Sequence, residues 1–160
     1  MARYSRELVV PVAVDDAFAY LSRFSSAREW DPSVRAASML TPEPVGLGSA
    51  FLLDVAFLGR QVSLRYDITE FDRPTMVTLT AENASVRSVD TITVRAHGPR
   101  TTLVRYDADL ALLGAARLAA PLFALALRRL GDRAADGLRT TLSARAHGDP
   151  IRIGERCPAW

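Results

Sequence analysis

Residues 115–146 read AARLAAPLFALALRRLGDRAADGLRTTLSARA. Ala and Leu, both strong helix formers, dominate the run, and no other stretch is long enough for a major helix. Phe123, Leu127, Leu130, Ala134, Leu138 and Thr141 recur with a 3.6-residue period as an apolar stripe, and Arg128, Asp132, Arg139 and Arg145 fall largely outside it. Pro is tolerated in a first helical turn, so the regular helix is expected to begin at or just before Pro121, with residues 114–120 as a loose lead-in. Such a stripe needs a partner, and residues 8–112 supply it as strands with one apolar face.

Working back from the helix, residues 8–12 are expected as a first strand. Asp15 is placed as the N-cap of a short helix carrying Ala17, Phe18, Leu21 and Phe24, and Asp15 and Asp16 both suit the positive end of its dipole. A second helical turn holds Arg28-Glu29-Trp30 and is stopped by Pro32. Residues 34–40 form a second strand, after which Pro42, Pro44, Gly46 and Gly48 mark a loop.

From Ala50 the alternation assigns faces. Phe51, Leu53, Val55 and Phe57 share one face, and Val62, Leu64, Tyr66 and Ile68 share another. Opposed residues in a hairpin point the same way, so these sets should pair across a two-residue Gly59-Arg60 loop. Val77, Leu79 and Ala81 should likewise pair with Val86, Ser88 and Asp90 across Asn83-Ala84. A three-residue Gly98-Pro99-Arg100 loop brings Val94 and Val104 onto one face, with Tyr106, Ala108 and Leu110 following. The expected fold class is α+β: a seven-stranded antiparallel sheet, sequential from its second strand to its seventh, packed on the long helix.

One residue breaks the pattern. Strict alternation puts Val86, Ser88, Asp90, Ile92, Val94 and Ala96 on the inner face, which places a carboxylate among apolar neighbours. An unpaired buried charge costs several kcal/mol, so Asp90 should be protonated, hydrogen-bonded, or facing a hydrated cavity, unless a bulge or a rim position turns it outward. Tyr106 falls diagonally across from Asp90, and Tyr66 projects into the same interior. A carboxylate, a serine and two phenols on an apolar wall resemble the few convergent polar groups of a ligand pocket.

Composition excludes several other classes. The chain has 160 residues and a net charge of +2, and its 20 basic residues are all Arg and scattered, which argues against nucleic-acid binding. One cysteine, Cys157, rules out an internal disulfide framework and fits a reducing cytoplasm. Residues 110–127 approach the ~20 apolar residues of a membrane span, but Arg117, Gly114 and Pro121 interrupt them, so no stable insertion is expected. No cluster has metal-ligand spacing, no cofactor is implied, and His97 and His147 each precede a glycine at an element's end. Residues 1–147 are expected as one domain and 148–160 as an irregular tail. A homodimer is compatible with the sequence.

Several segments carry a family likeness. They are Val9-Val10-Pro11-Val12, Glu29-Trp30-Asp31-Pro32, Gly46-Leu47-Gly48-Ser49-Ala50-Phe51, Tyr66-Asp67-Ile68-Thr69-Glu70 with Pro74, and Thr101-Thr102-Leu103-Val104-Arg105-Tyr106. In this order the chain resembles the helix-grip fold of the START/Bet v 1-like superfamily, and within it the bacterial polyketide cyclase/dehydrase-type lipid-transport proteins, often labelled SRPBCC. The resemblance implies a curved half-barrel gripping the C-terminal helix around an apolar cavity, with two short helices after the first strand. It also implies a hydrophobic ligand: a lipid, a polyketide-like compound or an aromatic one. The cavity is expected to be lined by Phe51, Leu53, Val55, Phe57, Tyr66, Leu79, Ser88, Asp90 and Tyr106, with Phe123 and Leu127 from the helix and Trp30 as a gate. A binding protein leads. The rival is a cyclase or dehydratase in which Asp90 moves protons and Tyr106 or Tyr66 polarises a carbonyl. A third reading is peripheral membrane contact through residues 110–127 and Arg117, Arg128 and Arg129.

Overall fold

A computed structural model describes residues 1–57 and 59–146. His147 and the tail 148–160, with Cys157 and Trp160, lie outside the described residues. The strands are β1 (Ala2–Val10), β2 (Val34–Met39), β3 (Ala50–Phe57), β4 (Arg60–Asp72), β5 (Met76–Glu82), β6 (Val86–Gly98) and β7 (Thr101–Leu112). Helices α1 (Val14–Ser22) and α2 (Ala27–Trp30) flank a 3-10 turn, Phe24–Ser26, and α3 (Ala120–Ala146) follows a 3-10 lead-in, Gly114–Ala119. All strands join one antiparallel sheet in the order β1-β7-β6-β5-β4-β3-β2, so only β1 leaves sequence order, closing on the last strand.

Residue type explains most of these boundaries. Along β4 and β6 buried and solvent-facing positions alternate, as a sheet with one covered face requires. β1 starts earlier than expected and stops before Pro11, because an edge strand wets one face and Arg3, Ser5 and Glu7 hide the apolar signal of Tyr4 and Leu8. Asp15 is not the N-cap of α1; Ala13 holds that place without a side-chain bond, and Asp15 and Asp16 occupy the first turn, where they still complement the dipole.

Two hairpin registers differ from expectation by two residues. Phe57 faces Arg60 and Phe51 faces Tyr66, so the tight turn lies before Arg60, at Gly59 with φ 75°. Ala81 faces Ser88 rather than Val86, because Asn83 Oδ1 accepts the Ser85 and Val86 amides at 2.8 and 2.9 Å and so widens the turn. A shift of two leaves every side chain on its expected face. The β6–β7 register is as expected, Val94 opposite Val104, with a bulge between Ala96 and Gly98. Further irregularities between Val34 and Ala36 and between Ile68 and Glu70 accompany the curl of the sheet.

The half-barrel holds α3 on its concave side. Ala134, Ala135, Leu138 and Leu142 join the main core with Phe18, Leu21, Phe51 and Leu79, while Phe123 and Leu127 pack at the other end with Tyr4 and Ala108. Thr141 is not part of the buried stripe, since Leu142 takes that position and Thr141 bonds the Glu29 carbonyl at 3.4 Å. Two helix glycines set the approach. A Cβ on Gly131 would stand 2.6 Å from the Tyr4 ring, and one on Gly137 would stand 2.0 Å from the Trp30 carbonyl oxygen. Among the described residues no helix is long and apolar enough to cross a membrane.

Candidate functional site

Between the two apolar clusters the sheet and α3 leave a cavity of about 340 Å³. β3 and β4 supply Leu53, Val55, Phe57, Val62, Leu64 and Tyr66, and β6 and β7 supply Val86, Ser88, Asp90, Tyr106, Ala108, Leu110 and Leu112. Helix α3 adds Phe123, Leu127, Leu130, Gly131 and Ala134, and the α2 region adds Phe24, Ala27, Trp30, Asp31, Ser33 and Val34. Arg60, Ser85 and Ala119 are solvent-exposed members of the wall, which puts the mouth between the β3–β4 turn, the β5–β6 turn and the lead-in to α3. On that lead-in and the first turns of α3, Leu118, Leu122 and Leu125 are exposed at 91%, 60% and 54%, an apolar strip beside the mouth.

Aromatic edges stiffen the wall. Tyr66 meets Phe24 with ring centroids 5.0 Å apart, Phe57 meets Phe123 at 5.0 Å, and Tyr106 meets Trp30 at 6.1 Å. Trp30, expected as a gate, is buried instead; its ring stands against Tyr106 and its Nε1–H donates to Ser26 Oγ at 3.3 Å. It forms a buried part of the cavity wall.

The polar centre is Asp90, which no bulge turns outward. The strand alternation holds it on the inner face at 3% exposure. Ser88 Oγ donates to Asp90 Oδ2 at 2.6 Å, the Tyr106 hydroxyl donates to Oδ1, and the Tyr66 hydroxyl faces the same carboxylate. Burial pushes the Asp90 carboxyl above its ordinary range, and Asp31 pushes it the same way, against the pull of the three hydroxyl donors. Burial wins. Tyr66 and Tyr106 are both raised well above the usual phenol value, first by burial and then by the field of Asp90, so they stand as neutral donors. The arrangement can hold a proton at Asp90 and offer hydroxyls to a polar atom on a buried molecule.

A second carboxylate reaches the cavity. Asp31 caps the C-terminus of α2, where the following Pro32 ends the helix. Its Oδ1 accepts the Ser33 amide at 2.8 Å and the Ser33 hydroxyl at 2.7 Å, and burial raises its pKa despite both bonds. Of the residues expected on the wall, Trp30, Leu53, Val55, Phe57, Tyr66, Ser88, Asp90, Tyr106, Phe123 and Leu127 come together around the cavity. Phe51 and Leu79 do not; both are fully buried in the main core beside Phe18 and Leu21, at the end that α1 fills. Tyr4, Asp31 and Val62 were missed. Val62 and Leu64 share the Tyr66 face by simple alternation, whereas nothing local marks Asp31 as more than a helix cap. Among the described residues no group of three or more His, Cys, Asp or Glu is placed to hold a metal, and His97 is exposed at the β6 bulge.

The family model for polyketide cyclase/dehydrase and lipid transport matches residues 1–143. No curated protein sequence matches the chain. Solved structures with the same fold include a START superfamily protein from Mycobacterium smegmatis, with TM-score 0.74 and 15% identity over 88% of this chain and 96% of that one. The Zhui aromatase/cyclase from a Streptomyces species gives TM-score 0.74 and 13% identity over 92% and 98%. A protein from Thermus thermophilus gives TM-score 0.75 and 14% identity over 89% and 98%. At these identities the likeness shows a shared helix-grip fold.

Proposed function

The chain belongs to the polyketide cyclase/dehydrase and lipid-transport family, and from that premise we propose that it binds a hydrophobic small molecule between the sheet and α3, as a carrier or sensor. The observation that carries this reading is the cavity itself: about 340 Å³ of space, walled mainly by aliphatic and aromatic side chains, in a region where a closed core would otherwise be packed. The exposed Leu118, Leu122 and Leu125 beside the mouth suit a molecule that takes up or hands over apolar cargo. Native mass spectrometry of the purified protein is expected to reveal a co-purifying hydrophobic compound. Adding that compound at a hundredfold over its dissociation constant should stabilise the fold by about 2.7 kcal/mol. A protein that carries nothing and gains no stability from any apolar compound would sink the reading.

A second reading has its own support. A buried carboxyl with a raised pKa, next to two neutral phenols on a cavity wall, is the equipment of a proton-transferring cyclase or dehydratase. In that case Asp90 gives or takes the proton, and Tyr106 or Tyr66 hydrogen-bonds a carbonyl oxygen. Asp90→Asn separates the two, since a carrier keeps most of its affinity whereas an enzyme keeps binding and loses turnover.

A further inference from the structure

The charged groups around the cavity have an asymmetry that bears on its cargo. Two carboxylates, Asp31 and Asp90, belong to its wall, and the one basic wall residue among the described residues is Arg60, exposed at the mouth. We propose that the cavity selects a hydrophobic amine, whose ammonium is received by Asp31, and disfavours fatty acids and other apolar carboxylates. The inference rests on the cavity being a ligand site, and it names the class of compound that site takes.

The two acids play different parts. Each oxygen of Asp90 already receives a hydroxyl, Oδ2 from Ser88 and Oδ1 from Tyr106, so Asp90 is satisfied within its own cluster and leaves the ligand nitrogen to Asp31. Both Ser33 bonds to Asp31 are accepted by Oδ1, which leaves Oδ2 for a ligand N–H. Asp31 acts on the others from where it stands: its field raises Asp90, Tyr66 and Tyr106 alike, so the acids share one poorly screened space. A carboxylate ligand would add a further acidic group to that space, whereas an ammonium would offset the charge of Asp31. The faces and edges of Trp30, Tyr106, Tyr66 and Phe24 surround the same volume and suit a cation as well as an apolar body.

The test uses three probes of one shape: naphthylmethylamine, naphthylmethanol and naphthoate, titrated calorimetrically against the full chain at neutral pH. The amine is expected to bind at least about tenfold more tightly than the alcohol, a difference of ~1.4 kcal/mol, with naphthoate weakest. Asp31→Asn, which keeps an oxygen for Ser33, should remove the amine's advantage over the alcohol. If the alcohol or naphthoate binds as well as the amine, the charge preference is overturned and the hydrophobic site stands. If Asp31→Asn keeps the preference, the assignment to Asp31 is wrong. If none of the three binds, the inference falls, and the ligand-site reading rests on the co-purification test alone.

Discussion

Gly137→Ala is expected to destabilise the protein by about 2 to 3 kcal/mol, although it replaces the poorer helix former with the best one. Alanine should gain roughly 1 kcal/mol of helix propensity at an interior position. Against that, its Cβ would lie 2.0 Å from the Trp30 carbonyl oxygen and 3.1 Å from the Trp30 carbonyl carbon. Those atoms are backbone and cannot rotate aside, so α2 and α3 must separate by more than an ångström. Thr141 and Arg145 follow Gly137 on the same helical face, and both bond Glu29, Thr141 to its carbonyl at 3.4 Å and Arg145 to its carboxylate at 2.9 Å. Separation therefore loosens the whole α2 contact and shifts Trp30 and Asp31, two members of the cavity wall. For a domain of this size the loss corresponds to a melting temperature lower by roughly 5 to 10 °C. Gly131→Ala is the control. It meets the Tyr4 ring at 2.6 Å, and a ring can swing away at the cost of its 3.1 Å bond to Asp132, so the loss should be smaller. A Gly137→Ala protein as stable as the parent would show that α3 does not rest on the α2 backbone.

Gly137 also shows where sequence reading stops. An isolated glycine inside a helical pattern signals a packing reason, but the partner, a carbonyl 107 positions earlier in the chain, has no local signature. Side-chain faces were legible because a strand's period is two. Both misplaced hairpin registers erred by two residues, so Val62, Leu64, Tyr66, Ser88 and Asp90 kept their inner face. Depth along a strand was not legible. Whether an inward side chain meets the cavity, as Leu53 does, or the solid core, as Phe51 does, depends on where α1 and α3 land across the sheet. Asp31 fell in the same gap. Its Pro-flanked position predicts a helix end, and only the fold carries that end to the wall facing Asp90.

Asp90→Asn is expected to change how stability depends on pH, and the direction follows from which force dominates at the carboxyl. Its folded-state pKa lies above the ordinary value of 3.8, because burial outweighs the donors from Ser88, Tyr106 and Tyr66. The folded protein thus holds this proton more tightly than the unfolded chain. The stability that results is fully present below the ordinary value and is lost as pH rises through the folded pKa. Asn is neutral throughout, so in urea titrations the stability of the parent relative to the variant should fall across that window and then level off. Each unit of elevation contributes about 1.4 kcal/mol to the drop. A relative stability that rises with pH would mean that the three hydroxyls win and hold Asp90 ionised. The same curve bears on function. For an enzyme, the pH profile of kcat/KM reports the free protein's essential group, so its inflection should coincide with the bend in the stability curve. Asp90→Asn should then cut turnover by roughly a hundredfold or more. In a carrier the bend persists with no rate to match it. The Asp90 cluster then serves to orient or select the cargo.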